Sequence, residues 1–569
     1  MFSLNNIFQR YNKKIIARVC LAFIMFGFIG NNLFWGAKSP VYFYRDSIMN
    51  INWAVYYGKM LKNEKLAYRP DLFRLLEKKK VQRDTNIYYR EEYGNIFKGP
   101  ILKKEKVDLS DLLRFHHPPL WFIFLGGLFA IFGFYSWVVF LGQGIIGVMA
   151  ILVTYFVGKK ICSVSAGLFS AFVLSTLPSF LNICRQGFLE TALLPLVLTG
   201  IILVDCILKY PLKRINYIFL GLICGVGMLT KTTFSLFVVL FFLIIAIFVD
   251  KKKIGYSVFL KNLLSAVILI LVLLLPWYMY ARGLLYEDII SNFHKGGSQK
   301  IIDFGSLFTL LPLIKNVQLG FIFFAVFILG ITYFCIKPRF SASYLIAFLF
   351  FGYIFVILVP IAVISRYFSP FLPLITVLIS CAVVDIPRFK RIIIIFLIGV
   401  SFAHGYGWFA LGVFSRADQM IYFYDDIGVK YNRKYPVYSV DIKSSKLFSS
   451  YIPLPIMQQK AVYSIIKEIS SPSGLKLIKI TWSDKHILEA RTLAAGLSLY
   501  SMFESFPLII ENPSPYQHEF FSGRIWLFVR GLNEDIESFL NINKKKSKTR
   551  YIRSIFLSPA IICDIFLEI

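Results

Sequence analysis

From Ala17 to about Val413 the sequence returns again and again to apolar runs of around twenty residues, and this recurrence restricts the fold more than any other feature. Each run is long enough, at 1.5 Å per helical residue, to cross a hydrocarbon core of ~30 Å. The 569 residues are 57% hydrophobic and only 17% charged, well below the roughly one quarter charged of a soluble domain. The sequence therefore predicts a polytopic α-helical membrane protein. Its formal charge of +30 would point to nucleic acid in a soluble chain. Here most Lys and Arg stand in short loops between apolar runs, where they set topology and meet anionic headgroups. Membrane lipids, not nucleic acid, are the expected partners.

Basic residues ahead of the first run (Arg10, Lys13, Lys14, Arg18) place the N-terminus in the cytoplasm, on an uncleaved helix near 17–36. Residues 37–117 then form a large first external loop, in which Ile48–Leu61 and Leu109–Phe115 read as amphipathic interfacial helices. The apolar stretch after His117 decides the parity of everything downstream. If it stays on the outer side, five basic clusters fall inside: Lys159-Lys160, Lys209 with Lys213-Arg214, Lys251-Lys252-Lys253, Lys337 with Arg339, and Arg388 with Lys390-Arg391. If it crosses, all five move outside, against the charge rule. Spans follow near 137–158, 162–182, 188–208, 215–231, 233–249, 262–281, 318–336, 341–363, 367–386 and 391–413, about eleven crossings with the first helix.

After Ser415 the composition turns mixed and polar. Strand-like alternation in Val437–Ile442, Leu475–Thr481 and Arg524–Val529 predicts an external α/β domain over 414–569, following a membrane domain over 1–413. Ile555–Cys563 is too short to span and reads as a final core strand. The eight cysteines form no CxxC pair and no metal-ligand spacing, and read as small core residues.

Ionisable residues at span ends are functional candidates, because burying them is costly. With this parity they collect on the external side. Asp46 lies in Tyr44-Arg45-Asp46-Ser47, with Trp53, Tyr56 and Tyr57 following. His116 and His117 enter the next apolar stretch, and Arg185 and Glu190 share one external turn. Lys231 ends a span, Arg282 follows Trp277-Tyr278, His294 and Lys295 occupy the next loop, and Arg366-Tyr367 opens a later span. Two carboxylates and many cations facing one cavity suit a phosphate-bearing substrate beside a general base. The structural alternatives are a helix-capping Asp and snorkelling Lys.

The order of these elements resembles the GT-C superfamily of membrane glycosyltransferases, in the branch of protein O-mannosyltransferases and the lipid A aminoarabinose transferase. Asp46 matches an acid in the first external loop, His117-Pro118-Pro119 resembles a basic residue before proline, and Glu190 stands where a second external acid is expected. Gly221–Lys231, Pro276-Trp277-Tyr278 and Arg366-Tyr367-Phe368-Ser369-Pro370 continue the likeness, which covers roughly 17–386. The chain departs from the pattern at Ser47, where a second acid is common, at Glu190 in place of Asp, and at His117 in place of Lys.

The resemblance implies a GT-C-like fold and a sugar donor carried on polyprenyl phosphate. It implies Asp46 as general base in a single inverting displacement, with Glu190 orienting the acceptor. His117, Lys231, Arg282, His294, Lys295 and Arg366 would contact the donor phosphate. Tyr44, Arg45, Trp53, Tyr56, Tyr57, His116, Arg185, Tyr278 and Tyr367 would line the substrates. No metal is required, although Asp46, Glu190 and His294 leave a divalent cation open. The acceptor would be a lipid, a glycan or a protein. A composition rich in Lys, Ile, Asn and Phe suggests an AT-rich bacterial genome; in a bacterium the membrane would be the inner one, and the carrier that the resemblance implies would be undecaprenyl phosphate. The rival readings are another lipid-linked envelope-glycan enzyme, a polymerase or ligase, and a transporter. The early position of the large loop weighs against the first, and the lack of an internal repeat against the second.

Overall fold

The computed structural model describes residues 4–38, 45–62, 118–185, 187–250, 255–297, 311, 314–358, 368–385, 390–401, 462–466, 468, 476–482, 493, 508–511, 525–531, 549–558 and 561–568. The helices are α1 (Leu4–Lys38), α2 (Arg45–Leu61), α3 (Leu120–Phe132), α4 (Ser136–Ile161), α5 (Val164–Thr176), α6 (Pro178–Ile183) and α7 (Leu189–Lys209). They continue as α8 (Arg214–Thr230), α9 (Ser235–Phe248), α10 (Tyr256–Gly297), α11 (Gly320–Ile336), α12 (Phe340–Leu358), α13 (Leu372–Asp385) and α14 (Lys390–Ser401). A single apolar core threads most of them, while large side chains such as Phe23, Ile131, Leu329 and Ile395 point outward and stay exposed. An apolar exterior around an apolar core is what a lipid solvent requires. Among the described residues four segments are long and apolar enough to cross a membrane, Ile15–Leu33, Trp137–Ile161, Leu189–Lys209 and Tyr256–Met279, and eight shorter apolar helices accompany them.

Three expectations change. The span expected over 162–182 is two helices, because Leu177, the residue before Pro178, is held extended (φ −65°, ψ 125°). The loop expected after Tyr280 is helical to Gly297, so Arg282, His294 and Lys295 stand on the continuation of α10. The apolar run ends at Tyr280, but the chain stays helical through Gly283 as far as Gly296-Gly297. Third, the helix expected over Ile48–Leu61 begins at Arg45 as α2, and its Ile51, Trp53, Ala54, Val55 and Tyr57 are covered by the rest of the protein. Leu109–Phe115 lies outside the described residues.

The cover over α2 is α3. A Cβ on Gly126 would meet the Ala54 carbonyl at 2.8 Å, and one on Gly58 the Gly126 carbonyl at 2.8 Å, so the two backbones touch where both carry glycine. With 13 residues α3 is about 20 Å long, short of the hydrocarbon core.

In the C-terminal part the strands β1 (Lys476–Trp482), β2 (Leu508–Glu511), β3 (Ile525–Gly531), β4 (Thr549–Ser558) and β5 (Ile561–Glu568) form one sheet of order β2-β1-β3-β5-β4. The first three pair in parallel, and β5 runs antiparallel to β3 and β4. Leu527 opposite Ile565, and Cys563 two residues before it, are buried on one face. Strands thus occupy 476–482 and 525–531 as expected, and the tail read as a core strand is a hairpin. Val437–Ile442 lies outside the described residues.

Candidate active site

The site is built around the turn between α6 and α7. Gly187 takes φ +72°, a conformation open to glycine, and this reverses the chain within a few residues. A Cβ there would meet Ile51 of α2 at 3.1 Å and Val139 of α4 at 3.5 Å. The turn is therefore pressed against the helix whose first turn carries Asp46. Gln143 of α4 donates to the Phe188 carbonyl at 3.4 Å, and Thr191 Oγ1 donates to the Ile183 carbonyl at 2.9 Å, bridging the two ends of the turn. Arg185 is buried and its Nε donates to Asn32 Oδ1 of α1 at 3.0 Å.

That scaffold sets Glu190 on the second residue of α7, where the helix dipole favours a carboxylate. Its Oε1 accepts from Lys231 Nζ at 2.7 Å, and the two side chains are only 4% and 10% exposed. Lys231 is presented by the end of α8: its backbone is extended (φ −156°, ψ 132°), its N–H donates to the Gly227 carbonyl, and Thr232–Phe234 turn the chain into α9. Two residues earlier, Leu229 packs on Trp277 of α10, which is buried beneath the exposed Tyr278.

Beside the ion pair opens a groove lined by Leu193 of α7, Phe237 and Leu240 of α9, Phe355 and Val356 of α12, and Phe371. Glu190 and Thr233 stand in an otherwise apolar lining, completed by Leu236, Gly352 and Pro370. The site thus joins a compact pair of charges to an apolar trough.

Of the residues singled out in the sequence, the structure brings together Glu190 and Lys231, with Arg185 in the same turn. Trp53 and Tyr57 are buried in the α2–α3 contact, the Tyr57 ring stacked on Phe122 at 6.4 Å. Arg45, Asp46 and Tyr56 are on α2, and Arg282, His294 and Lys295 on α10. Tyr44, His116, His117, Arg366 and Tyr367 lie outside the described residues. Sequence reasoning missed Asn32 and Gln143, whose only signal was a polar side chain within an apolar run. Among the described residues no three His, Cys, Asp or Glu side chains are grouped as a metal ion would need.

A second set of charges occupies the other end of α7. Asp205, buried 15 residues after Glu190, pairs with Lys160 at 2.8 Å and Lys209 at 3.0 Å and accepts from Tyr344 Oη at 3.1 Å. Arg339 pairs with Asp385 at 3.0 Å. Lys160, Lys209 and Arg339 belong to three of the basic clusters that the parity argument requires on one side. Lys160 and Lys209 meet on Asp205, and Arg339 reaches Cys162, two residues beyond Lys160.

Residues 116–280 match the family model described as dolichyl-phosphate-mannose-protein mannosyltransferase. No curated protein matches the chain by sequence. Among solved structures, ArnT from Cupriavidus metallidurans in the apo state aligns over 98% of this chain and 98% of its own, with a TM-score of 0.52 at 11% identity. The fold is GT-C. The same ArnT bound to undecaprenyl phosphate gives a TM-score of 0.46 at 12% identity, covering 90% of this chain and 96% of that one. The Archaeoglobus fulgidus oligosaccharyltransferase, in complex with Zn and sulfate, gives 0.47 at 12% identity, over 91% of this chain and 67% of its own. The segment matched by the family model contains α3–α9 and the first 25 residues of α10, and with them both members of the buried ion pair.

Proposed function

We propose that the chain is an integral-membrane glycosyltransferase that moves a sugar from a polyprenyl-phosphate carrier to an acceptor hydroxyl on the external face, with inversion. The buried Lys231–Glu190 pair at the head of the apolar groove carries this reading. The polyprenyl chain lies along Leu193, Phe237, Leu240 and Phe371, which bury apolar surface at roughly 25 cal/mol per Å². Its phosphate comes up against Lys231, whose side chain Glu190 holds in place until the donor arrives. Arg282, His294 and Lys295 on the continuation of α10, with His117 and Arg366, supply further positive charge. The match to a family named for a dolichyl-phosphate sugar supports the donor class.

Asp46 takes the proton of the acceptor hydroxyl as its oxygen bonds to the anomeric carbon. The bond from that carbon to the phosphate oxygen breaks on the opposite side, and the electron pair leaves with the phosphate. Cations facing the departing charge stabilise it without proton transfer. The acceptor is a lipid, glycan or protein hydroxyl, and the setting is a bacterial inner membrane with a cytoplasmic N-terminus and an external C-terminal domain over 414–569.

The test is lipid mass spectrometry on cells with the functional gene, without it, and with Asp46→Asn. A polyprenyl-phosphate sugar accumulates in both defective strains, and one envelope glycan loses the matching residue. Normal lipid-linked sugars in both strains would overturn the reading. Accumulation of a lipid-linked oligosaccharide instead would favour a polymerase or ligase.

A further inference from the structure

On its α12 side the groove is walled by a glycine and a phenylalanine that share one space. Gly352 of α12 and Phe371, the last residue of the short 3₁₀ turn Ser369–Phe371 ahead of α13, both line it. A Cβ on Gly352 would overlap the Cε1–Cζ edge of the Phe371 ring, so the ring stands where a side chain at 352 would otherwise be. Other rings pack round it: Phe368 at 5.0 Å between centroids, Phe237 at 5.3 Å and Phe348 at 5.9 Å. Pro370, in the same turn, restricts the backbone that carries it. A set packed this closely has no slack for an added methyl group. Among the described residues, the open space bordering the ring is the groove. Gly352 therefore decides how far Phe371 reaches into it.

We infer that Gly352 and Phe371 together set the bore of the groove and make it selective for a methyl-branched isoprenoid chain over a straight alkyl chain. This rests on the reading of the groove as the seat of the polyprenyl carrier. An isoprenoid carries a methyl branch on every unit and a double bond that keeps the unit flat, so it is broader than an alkyl chain of equal length. With Phe371 drawn back against Gly352, the broad chain fits and touches Phe371 together with Leu193 and Leu240. A straight chain leaves unfilled space at each missing branch and forfeits those contacts. A ring pushed forward by a methyl group at 352 removes the room for the branches but still passes the straight chain. The phosphate meets Lys231 in the same way with either tail, so the head of the groove does not contribute to the choice.

The test uses the full-length protein in lipid nanodiscs, labelled with a diazirine-bearing farnesyl phosphate and mapped by peptide mass spectrometry. Farnesyl phosphate and dodecyl phosphate, whose main chains are equally long, then compete for the labelled site. In the wild-type protein the label is expected on the α9 and α12 peptides that line the groove. Farnesyl phosphate should displace it at about tenfold lower concentration, the discrimination that a methyl-sized difference supplies. Gly352→Ala should erase that preference by weakening farnesyl phosphate and leaving dodecyl phosphate within about twofold. Phe371→Leu should lose the preference as well, because the wall recedes. The two changes together should restore it, since the shorter side chain offsets the added methyl. If Gly352→Ala does not fold, Phe371→Leu and the double variant carry the comparison. Single variants as selective as the wild type would overturn the inference, and so would a double variant no more selective than Phe371→Leu. Wild-type labelling outside the groove would instead overturn the carrier reading, and this inference with it.

Discussion

Removing Glu190 takes away the carboxylate that Lys231 Nζ contacts at 2.7 Å in a buried site. Breaking a buried pair from one side costs about 3–5 kcal/mol, while replacing both charges with apolar groups of similar size is often neutral. Glu190→Gln and Lys231→Met should therefore each lower the thermal midpoint clearly, and the double variant should regain most of the loss. A calorimetric double-mutant cycle reads the coupling, and purely additive losses would show that the 2.7 Å contact contributes little. Activity should not recover in the double variant, because the phosphate loses its cation. The sequence marked both residues, yet not as partners. They are 41 positions apart, and their meeting depends on the Gly187 turn and on how α8 ends, neither of which leaves a periodic trace. Asn32 and Gln143 were illegible for a similar reason: a polar residue in an apolar run shows its purpose only when its partner is seen.

At the scale of elements, the seat of Asp46 depends on two helices touching at glycine. Gly126→Val would drive new atoms into the Ala54 carbonyl and the Tyr57 side chain, and overpacking of this kind costs about 1–3 kcal/mol. The expected result is a lower thermal midpoint together with lost transfer, as α2 moves off the Glu190 turn. Gly127→Ala is the control, since nothing stands within 4 Å of its added carbon, and it should leave both unchanged. Equal effects at the two positions would refute the close-packed seat. Elements governed by hydropathy were legible in advance, as the match of α7, α8 and α11 to their expected spans shows. Those governed by local backbone chemistry were not. Leu177 before Pro178 splits one apolar run into two helices, and α10 continues some seventeen residues past the end of its apolar run, through Gly283. The α2 helix was read as a surface element because its own sequence does not reveal α3 lying over it.

For the whole molecule, the test is which pole faces which compartment. In a cysteine-free background, Lys213→Cys should react with a membrane-impermeant maleimide only after the inner face is opened. Ser464→Cys, in the C-terminal part, should react in intact cells. The opposite pattern would invert the topology and move the proposed active site to the cytoplasm. Lys160 and Lys209 come from separate basic clusters and meet on Asp205, so they stand at one end of the bundle, as they would in either orientation across the membrane. The sheet order was not readable, since strands of mixed direction carry similar alternation whichever neighbour they choose.

Glu190 and Asp205 stand on one helix, 15 residues apart, which at 1.5 Å per residue is at most about 22 Å along its axis. An average bilayer offers ~30 Å of hydrocarbon, and any tilt of the helix brings the two carboxylates closer along the membrane normal. Both charge clusters therefore do not fit at headgroup level in an unperturbed membrane. Either the lipid thins around the protein or the Glu190 end sits several ångströms below the surface, so that a lipid-borne phosphate sinks to meet Lys231. Turnover should then depend on acyl-chain length, highest in nanodiscs of short-chain lipid and falling as the chains lengthen. The membrane, on this account, sets how far each substrate has to descend.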